Sequence, residues 1–518
     1  MARLRRWLYL AHRWLGIALG LLIVLWFASG IVMMYVGYPK LTPAERLAHL
    51  PDLELPSECC LAPAEAARLA GHAGRHAPEL RLAMVGERPR WIVSGGGHAA
   101  AVDAATGEAP PSFGAAGALV AAARVAPDAS PRLVETLRED IYTVSRALDP
   151  HRPLHLVALD DAAGSELYVS SRTGEVVRDS TRSERAWNWA GAILHWFYPL
   201  KGEWMGAWRR DAIIYTSLAG TVLALSGLVV GVLRWRVRGR YRSGSKSPYR
   251  EGWMRWHHVA GLAFGAVTLT WVLSGLLSMN PWKVFDAGGA KPDAAALAGT
   301  TLAGATFALT PREAVARSPF PVRELSVRLF GGRAWYVLHG AGGESRLVDA
   351  GDRGAAPFPM LAPEAIEPVA GRLLPGHRPT RIERLDRHDD YYYARRAHTM
   401  TGHFERRLPI YRVAYDDPGR TWIHLDPRTG AIVGRLDDRA RARRWLFAFL
   451  HSFDGWGWTD SRPAWDIALI LLSAGGLAVS LSGVVIGWRR LAGRHHAAAR
   501  RAPAGREQSV TGRATLAS

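Results

Sequence analysis

Apolar residues are gathered into four long runs along this chain of 518 residues. The runs cover residues about 14–36, 212–233, 259–279 and 466–488, and each is nearly free of charged side chains. Roughly 20 apolar residues is the length that a helix needs to cross about 30 Å of hydrocarbon. The pattern therefore predicts four membrane-spanning helices separated by two long loops of mixed composition.

Basic residues cluster beside these runs, and their positions predict the orientation of the chain. The clusters are Arg3, Arg5 and Arg6 before the first run, Arg234, Arg236, Arg238, Arg240, Arg242, Lys246 and Arg250 between the second and third, and Arg489, Arg490, Arg494, Arg500 and Arg501 after the fourth. Such clusters mark the cytoplasmic side of a membrane protein. We therefore predict a multi-pass protein of the bacterial inner membrane with both termini in the cytoplasm. Because membrane topology explains the net charge of +19, we predict no nucleic-acid partner.

The predicted organisation has eight parts. They are an N-terminal segment with the first span (1–37), a periplasmic region (38–205) with a short membrane-proximal helix near 186–199, the second span (206–234), a basic cytoplasmic loop (235–256), the third span (257–280), a second periplasmic region (281–460) with a short helix near 442–453, the fourth span (461–490) and a disordered cytoplasmic tail (491–518). The only cysteines, Cys59 and Cys60, are adjacent, and neighbouring cysteines rarely meet disulfide geometry. We assign them no role.

An internal repeat singles out four of the nineteen histidines. At an offset of 245, His12, Gly16, Gly20 and Ser29-Gly30 return as His257, Gly261, Gly265 and Ser274-Gly275; at an offset of 256, His195 and Ser226-Gly227 return as His451 and Ser482-Gly483. Each time a histidine accompanies an apolar helix. The repeat predicts an internally duplicated bundle of four helices.

The two outer loops repeat more loosely. Each begins with a helix-like stretch, continues with alternating strand-like segments and ends in two strands joined by a Thr-Gly turn, at Thr173-Gly174 and Thr429-Gly430. Glycine supplies the positive φ that such a turn needs. The predicted fold class is therefore an α+β membrane protein in which each loop forms two small α+β units.

These motifs resemble a known family. The hairpin Asp-Pro-x-Thr-Gly-x-Ile at 426–432 looks like the PepSY signature. The two spans of form His-x3-Gly-x3-Gly-x5-Trp-x2-Ser-Gly, with Arg462-Pro-x-Trp-Asp466, resemble the PepSY-associated transmembrane family over residues 5–490. The resemblance implies two PepSY-like extracytoplasmic regions. Members of the family include inner-membrane proteins of iron uptake, and some of these are haem-containing ferric-siderophore reductases.

The histidine pattern suits haem b. Gly16 and Gly20 follow His12 at four and eight residues, as Gly261 and Gly265 follow His257, so each histidine lies beside a strip without side chains. An ionisable residue inside a membrane is costly without a partner, and haem iron is such a partner. The glycine strips are equally typical of close-packed helices, and a single histidine beside tryptophan is often an interfacial anchor.

Topology decides which histidines share an iron. His12 and His257 lie near the cytoplasmic ends of their spans, whereas His195 and His451 lie on the outer side, most of a bilayer of about 30 Å away. We predict one haem held by His12 and His257 and a second held by His195 and His451. His258 competes with His257 as ligand. At the outer pair, Gly191 precedes His195 by four residues but Phe447 stands at the matching position.

The predicted function is electron transfer from a cytoplasmic or quinol donor to a ferric chelate in the periplasm, the acceptor being implied by the resemblance. Basic and aromatic residues of the second loop could receive an anionic chelate; they are His388, Tyr391, Tyr392, Tyr393, Arg395, Arg396, His398, His403, Arg406 and Arg407. An equally supported interpretation is that these residues form a solvent-exposed edge of the small α+β fold. The alternatives are a membrane-anchored PepSY module that binds or regulates envelope proteins, and a transporter, which has little support because no span carries a deep acidic residue.

Overall fold

The structure is a computed structural model that describes residues 2–72, 78–110, 112–200, 206–396, 398–399 and 405–499. Its helices are α1 (Ala2–Met33), α2 (Pro43–His49), α3 (Pro63–Leu69), α4 (Ala115–Val125), α5 (Arg182–Asn188), α6 (Gly206–Arg234), α7 (Trp253–Ser278), α8 (Ala294–Ala298), α9 (Pro311–Ala316), α10 (Pro363–Leu373), α11 (Asp438–Arg443), α12 (Leu450–Ser452) and α13 (Ala464–Ala499). Its strands are β1 (Glu79–Val85), β2 (Arg88–Gly95), β3 (His98–Asp103), β4 (Arg132–Leu137), β5 (Leu154–Ala158), β6 (Glu166–Ser170), β7 (Val176–Ser180), β8 (Glu324–Phe330), β9 (Arg333–His339), β10 (Ser345–Asp349), β11 (Pro379–Leu385), β12 (Ile410–Tyr415), β13 (Trp422–Asp426) and β14 (Ala431–Leu436).

Four of these helices confirm the predicted spans. Within the described residues, α1, α6, α7 and α13 are the helices long and apolar enough to cross a membrane. Helix α13 continues to Ala499, so residues 491–499, predicted as disordered tail, are helical. Alanine, the best helix former, occupies the last three of these positions. Residues 500–518 lie outside the described part of the chain.

The chain divides into a helical unit (residues 1–27, 215–273 and 471–518) and a mixed unit (residues 28–214 and 274–470). In the helical unit, Ile23, Phe27 and Leu223 form a buried apolar cluster. A Cβ added to Gly476 would lie 2.2 Å from the Phe27 ring. Glycine therefore lets these helices pack closely, as small residues do inside membranes.

The mixed unit is built on one six-stranded sheet and two four-stranded sheets. The large sheet has the order β10-β9-β8-β1-β2-β3, and its central antiparallel pair, β1 with β8, matches Leu80 to Val327 and Leu82 to Leu325. The prediction of separate small units in each loop is therefore wrong here, because the first strands of both loops share one sheet. Pairing β1 with β8 satisfies two backbone edges that would otherwise be exposed.

The four-stranded sheets have the orders β4-β5-β6-β7 and β11-β12-β13-β14, so corresponding elements of the two loops follow each other in the same sequence. Helix α4 buries Ala118 and Ala122 against the first of these sheets, and α10 packs Ile366 and Val369 into the core beside the second. Cys59 and Cys60, for which no disulfide was expected, are joined in one.

A buried ion network crosses the centre of the six-stranded sheet. Arg81 donates two hydrogen bonds to Glu175, of 2.9 and 3.1 Å, and one of 2.8 Å to Glu324. Arg46 donates two more to Glu324, of 2.6 and 3.0 Å. Arg46 lies in α2, Arg81 in β1, Glu175 in the turn between β6 and β7, and Glu324 in β8. The network therefore connects the two loops.

We expect this network to make the mixed unit sensitive to acid. Burial alone would raise the pKa of Glu324, but the charges of Arg46 and Arg81 outweigh burial and hold that pKa well below its usual range. Because the pKa is lower in the folded than in the unfolded chain, the network stabilises the fold above the unfolded pKa of about 4.3 and loses that contribution as the pH falls below it. The midpoint temperature of thermal unfolding, followed by the far-ultraviolet circular dichroism of the β-strands, should therefore be lower at about pH 3 than at about pH 6. An Arg81→Met protein with the same pH dependence as the wild type would contradict this account.

Candidate cofactor sites formed by two histidine pairs

The first pair lies in the helical unit and consists of His12 on α1 and His257 on α7. Their ring centroids are 6.2 Å apart. Because a metal–imidazole nitrogen bond is about 2 Å long and the ring centre lies about 1 Å further on, two rings that share one metal ion stand about 6 Å apart. The spacing therefore suits a single metal ion between the rings.

Hydrogen bonds at Nδ1 fix the protonation of both rings. His12 Nδ1 lies 3.2 Å from the carbonyl oxygen of Leu223, and His257 Nδ1 lies 3.1 Å from that of Val479. A carbonyl oxygen only accepts, so each Nδ1 carries the proton and each Nε2 keeps a lone pair. Among the residues that the structure describes, none donates a hydrogen bond to either Nε2. Both rings therefore have the tautomer in which Nε2 could coordinate a metal ion.

A serine and a glycine hold each of these rings. Ser482 donates its hydroxyl proton to Val479 (2.8 Å), so its oxygen accepts from His257 Nδ1 at 3.1 Å. Ser226 does the same with Leu223 (2.9 Å) and lies 3.4 Å from His12 Nδ1. The glycine that follows each serine makes room for the ring. A Cβ at Gly227 would lie 2.7 Å from His12 Cε1, and one at Gly483 would lie 3.3 Å from His257 Cε1.

The second pair, His195 and His451, lies in the mixed unit. The ring centroids are 6.4 Å apart, again the spacing of two imidazoles on one metal ion. Ser29 Oγ lies 2.9 Å from His195 Nδ1, and Ser274 Oγ lies 3.0 Å from His451 Nδ1. The glycines that follow these serines contact the rings, because a Cβ at Gly30 or Gly275 would lie 3.9 or 3.8 Å from Cε1. All four histidines therefore share one Ser-Gly arrangement.

His195 and His451 lie in the same kind of irregular backbone. Residues Trp189–Ile193 and Arg444–Phe449 form π-helical turns just before them. Two residues after each histidine, Phe197 (φ 54°) and Phe453 (φ 47°) adopt left-handed conformations, which cost a bulky residue about 1–3 kcal/mol each. Neither feature follows from helix propensity. Such irregular backbone is retained where the surrounding structure fixes a functional side chain.

His258, the alternative to His257 in the sequence, is held by hydrogen bonds at both ring nitrogens. It is buried, and its Nε2 lies 2.9 Å from the carbonyl oxygen of Gly231. Its Nδ1 lies 2.8 Å from Ser247 Oγ. Both ring nitrogens are therefore engaged by protein atoms, and His257 is left as the histidine that faces His12.

The glycines predicted beside the histidines have mixed roles. A Cβ at Gly20 would lie 3.0 Å from Val484, and one at Gly265 would lie 2.8 Å from Leu228, so these two serve helix packing. A Cβ at Gly16 would make an ordinary 3.7 Å contact, and one at Gly261 would meet no atom within 4 Å. Of the four glycines, only Gly16 and Gly261, one turn after each histidine, leave room for a side-chain atom.

At the outer pair the predicted clearance at Gly191 is wrong. A Cβ there would lie 3.0 Å from Val32 on α1, so this glycine allows backbone packing and does not face the ring. At the matching position the centroid of the Phe447 ring lies 5.6 Å from the centroid of the His451 ring.

The segment proposed to receive a chelate is mostly engaged inside the protein. Tyr393 and Arg395 bind the buried carboxylate of Asp454, His398 binds Glu45, Tyr392 donates to the carbonyl of Arg407, and His388 donates to that of Arg406. Burial raises the pKa of Tyr392 to about 12, so its hydroxyl stays protonated as a donor. Most of the segment therefore stabilises the fold through internal hydrogen bonds. Arg396, by contrast, is exposed to solvent. His403 lies outside the described residues.

Within the part of the chain that is described, no group of three or more His, Cys, Asp and Glu side chains could hold a metal ion. A two-histidine site therefore suits a metal that brings its other ligands with it. Haem is such a group, because its porphyrin would bind the iron and each histidine pair would supply the two remaining ligands. The residues present fit such a group at both pairs.

Together these features define a four-span α+β membrane protein with paired histidines. The family described as the PepSY-associated TM region matches residues 9–343, more than half of the chain. The chain therefore belongs to that family, as its motifs predicted. No curated protein matches the chain.

Proposed function

We propose that this chain is a di-haem electron-transfer protein of the bacterial inner membrane. In this proposal it takes electrons from a cytoplasmic donor or the quinol pool and reduces a ferric chelate, such as a ferric siderophore, in the periplasm. The observation that carries the proposal is the repeated site: two facing histidines with ring centroids about 6 Å apart, each hydrogen-bonded at Nδ1.

The side chains of the protein have defined tasks in this function. His12 with His257, and His195 with His451, would hold one haem b each. Ser226 and Ser482, with the neighbouring carbonyls, would fix the tautomers of His12 and His257 by accepting from Nδ1, and Ser29 and Ser274 would orient His195 and His451 through the same nitrogen. A haem iron held by two imidazoles carries single electrons without exchanging its ligands. Reduction weakens the grip of hard oxygen ligands on chelated iron, and this would release the metal for uptake.

The test uses full-length protein in lipid nanodiscs, reduced with one electron equivalent of dithionite per haem so that no free reductant remains. Addition of a ferric trihydroxamate chelate is expected to reoxidise the protein and to yield one ferrous ion per electron, detected with a ferrous-specific dye. A His451→Ala protein is the control and should reoxidise slowly. A pigmented protein that the chelate does not reoxidise would contradict the acceptor, and a colourless protein would favour a membrane-anchored PepSY module.

Gly227 offers a separate test of the inner site. A valine there is expected to push the His12 ring away from His257, because even a Cβ would lie 2.7 Å from the ring. We expect the affinity of the inner site for haem to fall by about tenfold or more, the effect of disturbing the groups that orient a metal ligand. Haem titration of the purified variant measures this. Gly493→Val, where a Cβ meets no atom within 4 Å, should bind haem as the wild type does.

A further inference from the structure

The segment between α6 and α7 is a folded loop of unusual charge. Residues 235–252 contain six basic residues and one acidic residue, Glu251. The loop forms a hairpin in which Arg236 N donates to the Lys246 carbonyl (3.0 Å) and Tyr241 N donates to that of Ser245 (2.9 Å). The guanidinium of Arg236 stacks 4.0 Å above the ring of Tyr241. The loop is thus ordered by its own contacts.

This loop is fastened to the helix turn that carries His257. Ser247 in the loop bonds His258, the next residue after His257, and His258 also bonds the Gly231 carbonyl on α6. The rings of Trp235 and Tyr249 flank His258 at 6.0 and 5.6 Å. The hairpin therefore has a fixed position beside the inner histidine pair.

The hairpin exposes two arginines and an apolar residue. Arg238 and Arg242 are exposed and form no hydrogen bond or ion pair with any residue that the structure describes. Val237, the residue before Arg238, is 75% exposed. A lipid headgroup requires only positive charge near the membrane, which the other basic clusters also supply. An ordered hairpin that exposes arginines beside an apolar side chain has the composition of a protein interface, in which arginine is enriched.

We infer that this hairpin is a docking surface for an acidic one-electron carrier protein that supplies the inner site. The inference rests on the proposed function, which requires an electron source, and it names the chemical class of that source. An acidic face would be attracted to the hairpin, and salt would weaken the complex. Docking here would place the carrier beside the turn that holds His257.

The experiment measures binding, with flavodoxin as the acidic probe and full-length protein in zwitterionic nanodiscs. Biolayer interferometry at low ionic strength should detect a complex that weakens as salt is added. The variant Arg238→Glu with Arg242→Glu should bind about tenfold more weakly or worse. The control, Arg489→Glu with Arg490→Glu, makes the same change of charge and should bind within about threefold of the wild type. Ser247→Ala leaves every charge in place and should weaken binding about fivefold, because the hairpin loses the hydrogen bonds of Ser247 Oγ to His258 and to Tyr249 N.

Three results would overturn the docking proposal: no complex at low salt, equal losses in both charge variants, or hairpin variants that lose affinity for anionic-lipid vesicles while flavodoxin binding is unchanged. The last result would identify a lipid-headgroup site. The absorption spectrum of the same samples separates this proposal from the proposed function. A pigmented protein that does not bind flavodoxin contradicts docking alone, and a colourless protein contradicts the function.

Discussion

Replacing His257 with alanine is expected to lower the haem content from two per chain to one. The reason is geometric, because His257 faces His12 at 6.2 Å and no other described histidine can take its place, His258 being bonded through both ring nitrogens. The outer pair, His195 and His451, should keep its haem. The pyridine haemochrome assay measures the content, and electron paramagnetic resonance should show one low-spin signal in place of two.

The matched control is His258→Gln, one residue further along the same helix. Glutamine can still hydrogen-bond to Ser247 and Gly231, so this variant should keep both haems. If His258→Gln loses a haem and His257→Ala keeps two, the assignment of the ligand is wrong. If His257→Ala remains folded and loses both haems, the two sites are not independent.

Replacing Arg81 with methionine is expected to destabilise the mixed unit by about 3–5 kcal/mol, the usual cost of removing one partner from a buried ion network. The change leaves Glu175 without its two hydrogen bonds from Arg81 and leaves Glu324 with Arg46 alone. Both carboxylates are almost fully buried. Pulse proteolysis of the full-length protein in detergent, across a urea gradient, measures the loss.

Arg68→Met provides the control for this experiment. Arg68 pairs with Glu65 on α3, but both side chains are largely exposed, and such pairs contribute at most about 1 kcal/mol. The control should therefore unfold close to the wild-type urea concentration. An Arg81→Met protein that unfolds with the control would show that the network does not join the two loops energetically.

The parts of the fold and site that the sequence predicted are those encoded by local patterns. Four runs of roughly 20 apolar residues specify four spans regardless of context. The repeat brought out His12, His195, His257 and His451, and topology sorted them into the pairs that the structure brings together. The PepSY hairpin signature likewise depends on a short turn, at Thr429-Gly430.

The features that the sequence did not predict depend on contacts between distant segments. The contacts of Ser226-Gly227 and Ser482-Gly483 were not predicted, because nothing local shows that each serine meets a histidine more than 200 residues away. Their repetition beside the histidines was the available signal. The pairing of β1 with β8 also joins segments from opposite loops.

Backbone irregularities were equally beyond local reasoning. The π-helical turns before His195 and His451 and the left-handed Phe197 and Phe453 oppose the intrinsic preferences of their residues. Tertiary packing must impose them. His258 shows the converse problem, because a buried structural histidine and a ligand are indistinguishable by residue type when they are neighbours in sequence.

The most direct test of the central claim is the absorption spectrum of the purified wild-type protein, recorded oxidised and after dithionite. If the histidine pairs hold haem, the reduced protein should show the sharp bands of six-coordinate haem b, and the haemochrome assay should give two haems per chain. A well-folded preparation without bound pigment would contradict the account.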